Sequence, residues 1–118
     1  GLSICYDLRF PLLYKNLAKK GAVFFSIPAA FTKTTGKAHW HSLIRTRAIE
    51  NGCYVFAAAQ CGLHENGRET FGHSLIVDPW GRILVEAKKK PSVITALIDT
   101  QKVFEFRKKM PSTTRYQF

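Results

Sequence analysis

Three rhythms of apolar and polar positions run along the chain. Gly1-Leu2-Ser3-Ile4-Cys5 is small or apolar, polar residues follow, and Pro11 stands where a proline can open a helix. The pattern predicts a strand over 1–5 ending in a sharp turn, with Cys5 at its tip and a helix behind it. Pro11 to Lys20 places Leu12, Leu13, Leu17 and Ala18 on one side and Lys15, Asn16, Lys19 and Lys20 largely on the other, with Gly21 as C-cap. Ala22 to Ile27 is a continuous apolar run between glycine and proline, which suits a buried parallel strand. Strand, helix and strand make a right-handed βαβ unit. Pro28 to Lys37 reads as a loop at the carboxyl end of that strand, beside Cys5. Ala38 to Asn51 reads as a helix packed through Trp40, Leu43, Ile44 and Ala48.

The second half of the chain alternates faster. Cys53 to Gln60 reads as a third buried strand, Cys61 to Phe71 as a polar excursion that would help choose substrate, and Gly72 to Asp78 as a further strand. Asp78-Pro79-Trp80-Gly81 has turn chemistry, with Arg82 to Ala87 pairing back as a hairpin. After a turn at Lys88–Ser92, Val93 to Ile98 is expected to be a strand. Asp99 caps a helix over Thr100 to Lys109 that buries Val103, Phe104 and Phe106 and stops at Met110-Pro111. The tail, with Tyr116 and Phe118, is expected to dock on something, a partner subunit being one option. Neither repeats nor low-complexity segments interrupt this α/β order.

Composition narrows the class. One domain is the default for 118 residues that are 46% hydrophobic. No apolar run approaches the ~20 residues of a membrane span, so no membrane association is expected. Cys5, Cys53 and Cys61 are an odd, sparse set, which suggests free thiols in a reducing compartment such as the cytoplasm. The formal charge of +10 would raise nucleic acid as a partner, but Lys88–Lys90 and Arg107–Lys109 lack interleaved aromatic platforms. A solvated basic surface is the simpler reading, so nucleic acid is not expected. Acidic substrates would be drawn to the same field.

Cys5 is the first chemical candidate. Active-site groups of α/β folds gather at the carboxyl ends of strands. A thiol there lies near a helix N-terminus, which favours thiolate, and the following backbone N–H groups can face an oxyanion. A cysteine ending an apolar run also suits a small buried hydrophobe. Phe31 and the hydroxyls of Thr32, Thr34 and Thr35 offer the mixed surface a pocket wants. His39 and His41 are two apart and do not share a helix face, which argues against a paired metal site. Neither metal nor cofactor is expected. Glu50 reads as an ion-pair partner of Arg45 or Arg47.

Gly1 to Pro11 resembles the nucleophile segment of the nitrilase superfamily, the carbon–nitrogen hydrolases. Pro28-Ala29-Ala30-Phe31-Thr32, Thr35-Gly36-Lys37-Ala38-His39-Trp40, Arg45 to Asn51 and Gly72 to Gly81 follow in the family's order and spacing, so the resemblance covers residues 1 to about 100. It is strongest to the Nit branch, amidases of deaminated glutathione and of ω-amides of 2-oxo acids; Ala57-Ala58-Ala59-Gln60-Cys61-Gly62 favours the former. The resemblance implies the α-β-β-α sandwich, here a mixed sheet with helices on one face. It implies Cys5 as nucleophile, the Tyr6 N–H as oxyanion donor, and Arg9, Phe31 and Thr35 near a substrate carboxylate or 2-oxo group. Arg9 is a natural bidentate partner for a carboxylate, or else an ion pair with Asp7 or another acid. The superfamily's habit of dimerising implies a homodimer for the intact protein.

Enzymes of this kind resemble a Glu-Lys-Cys solution in which both glutamate and lysine precede the cysteine. Four residues precede Cys5 here, none acidic or basic. The expectation is the C-terminal half of a carbon–nitrogen hydrolase domain over 1–118, inactive alone, whose intact form hydrolyses a small carboxylate-bearing amide through a cysteine thioester. An N-carbamyl amidase, a nitrilase proper and a non-catalytic remnant or binding subunit are the alternatives. A histidine base, His73 or His39, is the less favoured local substitute for the missing glutamate.

Overall fold

The computed structural model describes residues 1–112. In chain order it holds a 3-10 turn at Cys5–Arg9, α1 (Pro11–Lys19), β1 (Phe24–Ser26), α2 (Lys33–Thr35), a π-type turn at Gly36–Trp40, α3 (His41–Asn51), β2 (Tyr54–Ala57), β3 (Cys61–Leu63), β4 (Glu69–Phe71), β5 (Leu75–Val77), β6 (Ile83–Glu86) and α4 (Gln101–Lys109). The main sheet has the order β1-β2-β5-β6. β1 and β2 are parallel, and the β2–β5 and β5–β6 pairs are antiparallel, so the sheet is mixed.

The first residues extend this sheet. Gly1 O accepts from Ser26 N at 2.9 Å, Ser3 N donates to Ser26 O at 3.1 Å, and Cys5 N donates to Pro28 O at 2.8 Å. The chain from Gly1 therefore lies parallel to β1 as an outer strand, as its apolar pattern predicts, though only Leu2 pairs fully, with Ser26. Helices cover one face. Phe25, Val55 and Val77 turn toward Tyr14, Ala18, Trp40, Ile44 and Ala48 in one buried cluster. On the opposite face Phe24 and Phe56 meet edge to face at 5.5 Å, and Phe24 is exposed. Among the described residues this makes one helical layer on one sheet layer.

Several boundaries differ from the expectation. The buried side of α1 is Tyr14 and Ala18 with Leu13 and Leu17, while Leu12 is exposed. Tyr14 wins that place because its ring packs on Phe25 at 5.1 Å while its hydroxyl reaches Ser3 Oγ at 2.7 Å, which satisfies its polar end. The loop after β1 is shorter than predicted. Thr32 Oγ1 accepts the Thr35 N–H and starts the helix at Lys33, five residues before Ala38. At Gly36 a Cβ would stand 2.2 Å from that of Phe71, so this turn requires glycine for space. The helix ends at Gly52, whose φ of 56° is the left-handed C-cap conformation.

The excursion over 61–71 is a hairpin of β3 and β4, with Cys61 opposite Phe71. Its tip closes by Gly67 N to His64 O at 2.9 Å, a turn that the glycine's φ of 78° permits. The Asp78–Gly81 turn and the β5–β6 hairpin stand where predicted, with Asp78 Oδ1 accepting from Trp80 N and Arg82 N. Val93–Ile98 is not a strand. Its residues alternate in exposure, but no neighbouring strand is within pairing reach among the described residues, and Val93 and Leu97 are 91% and 98% exposed. α4 follows with Asp99 Oδ1 capping Gln101 N; it buries Val103 and Phe106, whereas Phe104 stays outside. Arg107 then ties α4 to Ala22 O and Asn51 O, at the amino ends of β1 and β2. The expected docking of Tyr116 and Phe118 lies outside the described residues.

Leu2, Ile4, Phe24, Val93 and Leu97 leave apolar area in water beside unpaired strand backbone. The 118-residue chain should therefore self-associate. Light scattering behind size exclusion should give a mass above the monomer's, and a monodisperse, cooperatively melting monomer would contradict this.

Candidate functional site

Cys5 ends the outer strand and opens the 3-10 turn with a φ of 46°. A non-glycine residue in this region is strained and turns its side chain away from the pleat. Its own N–H is fixed by Pro28 O, and Asp7 Oδ2 turns back to accept Ile4 N at 2.9 Å, which locks the turn. The half-buried Cys5 lines a cavity of ≈ 460 Å³ with Ala29, Ala30, Ala59, Gln60 and Ser74. These come from the carboxyl ends of the parallel strands and the amino end of the antiparallel β5, so one sheet edge builds the cavity. Small side chains from 29, 30, 58 and 59 leave the space. Ser74 Oγ accepts Ala59 N at 2.8 Å and pins two walls together.

Behind the turn sits a buried cation. Arg47 is 4% exposed, donates from Nε to Leu8 O at 3.0 Å and from Nη1 to Glu50 Oε1 at 2.9 Å, and lies 5.4 Å from the Tyr14 ring centre. Glu50 is thus the ion-pair partner that the sequence suggests.

The remaining expected residues divide. Arg9 lies at the far end of the Cys5 turn, its guanidinium 5.3 Å from the Tyr6 ring and 5.2 Å from the Phe31 ring, with Nη1 at 3.3 Å from His39 Nδ1. It does not pair with Asp7, whose carboxylate serves Ile4. Phe31 is buried against Trp40 at 5.0 Å. Thr35 bonds Thr32 Oγ1 at 2.8 Å, so its hydroxyl is engaged in capping α2. Arg9, Phe31 and Tyr6 therefore form one cluster; the cavity at Cys5 is lined by none of Arg9, Phe31 and Thr35. The histidines considered as bases are turned elsewhere: His39 to Arg9, and His73 Nδ1 to Glu86 at 2.6 Å. Gln60 reaches the cavity from the carboxyl end of β2, and Ser74 through the antiparallel return of β5, which no local spacing encodes.

The carbon-nitrogen hydrolase family matches residues 1–108, and the chain belongs to that family. Within it, the chain is 53% identical over 112 residues to a deaminated glutathione amidase of Synechocystis, covering 95% of this chain and 41% of that protein. It superposes on Saccharomyces cerevisiae Nit3, a member of branch 10 of the nitrilase superfamily, with a TM-score of 0.92 and 39% identity, over 100% of this chain and 44% of that one. A Nesterenkonia amidase, solved with acrylamide added to its active-site cysteine, gives a TM-score of 0.74 at 29% identity, over 93% of this chain and 42% of that one. The chain thus spans less than half the length of these relatives.

The three thiols stand in different surroundings. Burial pushes the Cys53 thiol up, against the lowering effect of Arg107, whose Nη2 is 3.0 Å from Sγ. A thiol whose folded pKa is raised holds its proton after the unfolded chain has lost it. Around and above the ordinary value of 9.0, the folded state therefore binds more protons, and stability falls as pH rises. Cys53→Ala should remove this contribution to the slope, read by urea midpoints across pH. In native protein, iodoacetamide should label Cys5 and Cys61, both half-buried, and reach Cys53 only on unfolding; peptide mass mapping checks this.

Proposed function

We propose that this chain supplies the nucleophile side of an amidase acting on a small, carboxylate-bearing amide, deaminated glutathione or the ω-amide of a 2-oxo acid. The observation that carries the reading is Cys5, held at φ 46° on a sheet edge and opening onto a small cavity. In this reading the Cys5 thiolate attacks the amide carbon and the carbonyl electrons move to oxygen, where the Tyr6 N–H stabilises them. The C–N bond then breaks, the amine leaves with a proton, and water hydrolyses the thioester to acid and free thiol. Arg9, backed by the Phe31 face, binds the substrate carboxylate, and Thr35 shapes the same wall through its capping bonds. No cofactor takes part.

Thiolate formation and protonation of the leaving amine need a base and an acid. The reading assigns these to a glutamate and a lysine of an upstream half of the domain, with 1–118 as its C-terminal part. The chain alone is then inactive. The intact enzyme works as a homodimer in the cytoplasm, in keeping with three free thiols.

The test is a chimaera in which this chain replaces the matching segment of the Synechocystis amidase. It should hydrolyse deaminated glutathione, Cys5→Ala should lower kcat by on the order of 10³-fold or more, and Arg9→Lys should act chiefly on KM. Hydrolysis that survives Cys5→Ala in a folded chimaera would refute the reading. Cys5-dependent release of ammonia from an ω-amide by the 118-residue chain alone would refute its inactivity.

A further inference from the structure

Away from the thiol cavity, three metal-ligating side chains from distant parts of the chain converge. His41 opens α3, His73 lies between β4 and β5, and Glu86 ends β6. His41 Nε2 is 2.9 Å and His73 Nδ1 is 2.6 Å from the same oxygen, Glu86 Oε1, and all three ligand atoms lie within 4.8 Å of one another. We propose that His41, His73 and Glu86 form a site for a divalent transition-metal ion of the zinc class.

The geometry supports this in three ways. Ligand atoms on a tetrahedral zinc ion with bonds of about 2.0–2.1 Å stand roughly 3.3 Å apart. The two nitrogen–oxygen separations need open only slightly to admit the ion. Shifting each ring proton to the opposite nitrogen frees the two nitrogens that face Oε1 as lone-pair ligands.

The rings are also held before any ion arrives. Phe71 stacks on His73 at 4.3 Å and meets His41 edge-on at 5.8 Å, and the two imidazoles pack at 5.5 Å. His73 carries a φ of 62°, and its carbonyl accepts from Trp40 Nε1 at 2.8 Å, which anchors the strained residue to the core.

The third feature is an open side. His73 and Glu86 line a cavity of ≈ 820 Å³ together with Lys88, Lys89, Lys90 and Ser92. An ion on three protein ligands would keep a position free toward that cavity, as open zinc sites do. One carboxylate among lysines is poor for magnesium or calcium, which want several oxygen ligands. Two imidazoles favour zinc, cobalt, nickel or copper, and the lysines suit a small anion as the fourth ligand. Local sequence conceals the site, because His41 draws its partners from 32 and 45 positions away.

Cobalt(II) titration of the chain tests this, because the metal's own spectrum reports the ligands in whatever soluble species forms. The expected result is one ion per chain with strong tetrahedral visible bands and without the charge-transfer absorption of thiolate ligation. Zinc should displace it. His41→Gln and Glu86→Gln, both at half-buried or exposed positions, should each weaken binding on the order of 100-fold or more with unchanged far-ultraviolet circular dichroism. No uptake, a thiolate band, or binding indifferent to both substitutions would overturn the proposal.

Discussion

Much of the molecule depends on one buried guanidinium. Arg47 reaches from α3 to the carbonyl of Leu8, inside the turn that carries Cys5, and its charge is balanced by Glu50 and by the face of Tyr14. Removing Glu50 would leave the buried Arg47 charge less compensated, although Glu50 is 36% exposed and solvent screens part of that cost. A hydrophobic replacement would satisfy packing but would leave the Leu8 carbonyl without this donor. The arginine is thus a strut between the longest helix and the strained turn. Tyr14 extends it: the ring lies beside Arg47 and on Phe25, and the hydroxyl reaches Ser3 on the outer strand. Helix, turn and sheet edge are coupled through two side chains.

Wherever one segment carried both its own periodicity and its own punctuation, the sequence was readable. The helix from Pro11 and the Asp78–Gly81 turn have local signals and formed as expected, whereas the apolar run before Pro28 gave a shorter parallel strand, Phe24–Ser26, with Phe24 exposed. The failures share a cause. Val93–Ile98 has a strand's alternation, but a strand exists only by pairing, and no partner is present among the described residues. The polar run over 61–71 lacks an apolar face, yet it pairs because Gly67 closes the tip and Thr70 bridges to Thr32. Tyr14 was passed over on α1 because its burial depends on a hydroxyl partner 11 residues earlier.

The site was legible to the same degree. Cys5 at a strand tip follows from order along the chain, whereas its left-handed backbone does not. Arg9 and Phe31, both expected near a substrate carboxylate, lie together as a cation over an aromatic face. The Thr35 hydroxyl is engaged locally, since a threonine three residues from another readily serves as a cap. The cavity walls and the His41–His73–Glu86 group come from tertiary convergence of residues with no special spacing.

The backbone at Cys5 has a thermodynamic meaning of its own. A left-handed φ costs a side-chain-bearing residue about 1–2 kcal/mol, and glycine avoids most of that. By conformational energy alone, position 5 would select glycine. A cysteine there costs the fold conformational energy that a glycine would spare. Random stabilisation of the chain, with no requirement for the thiol, would tend to erase it first.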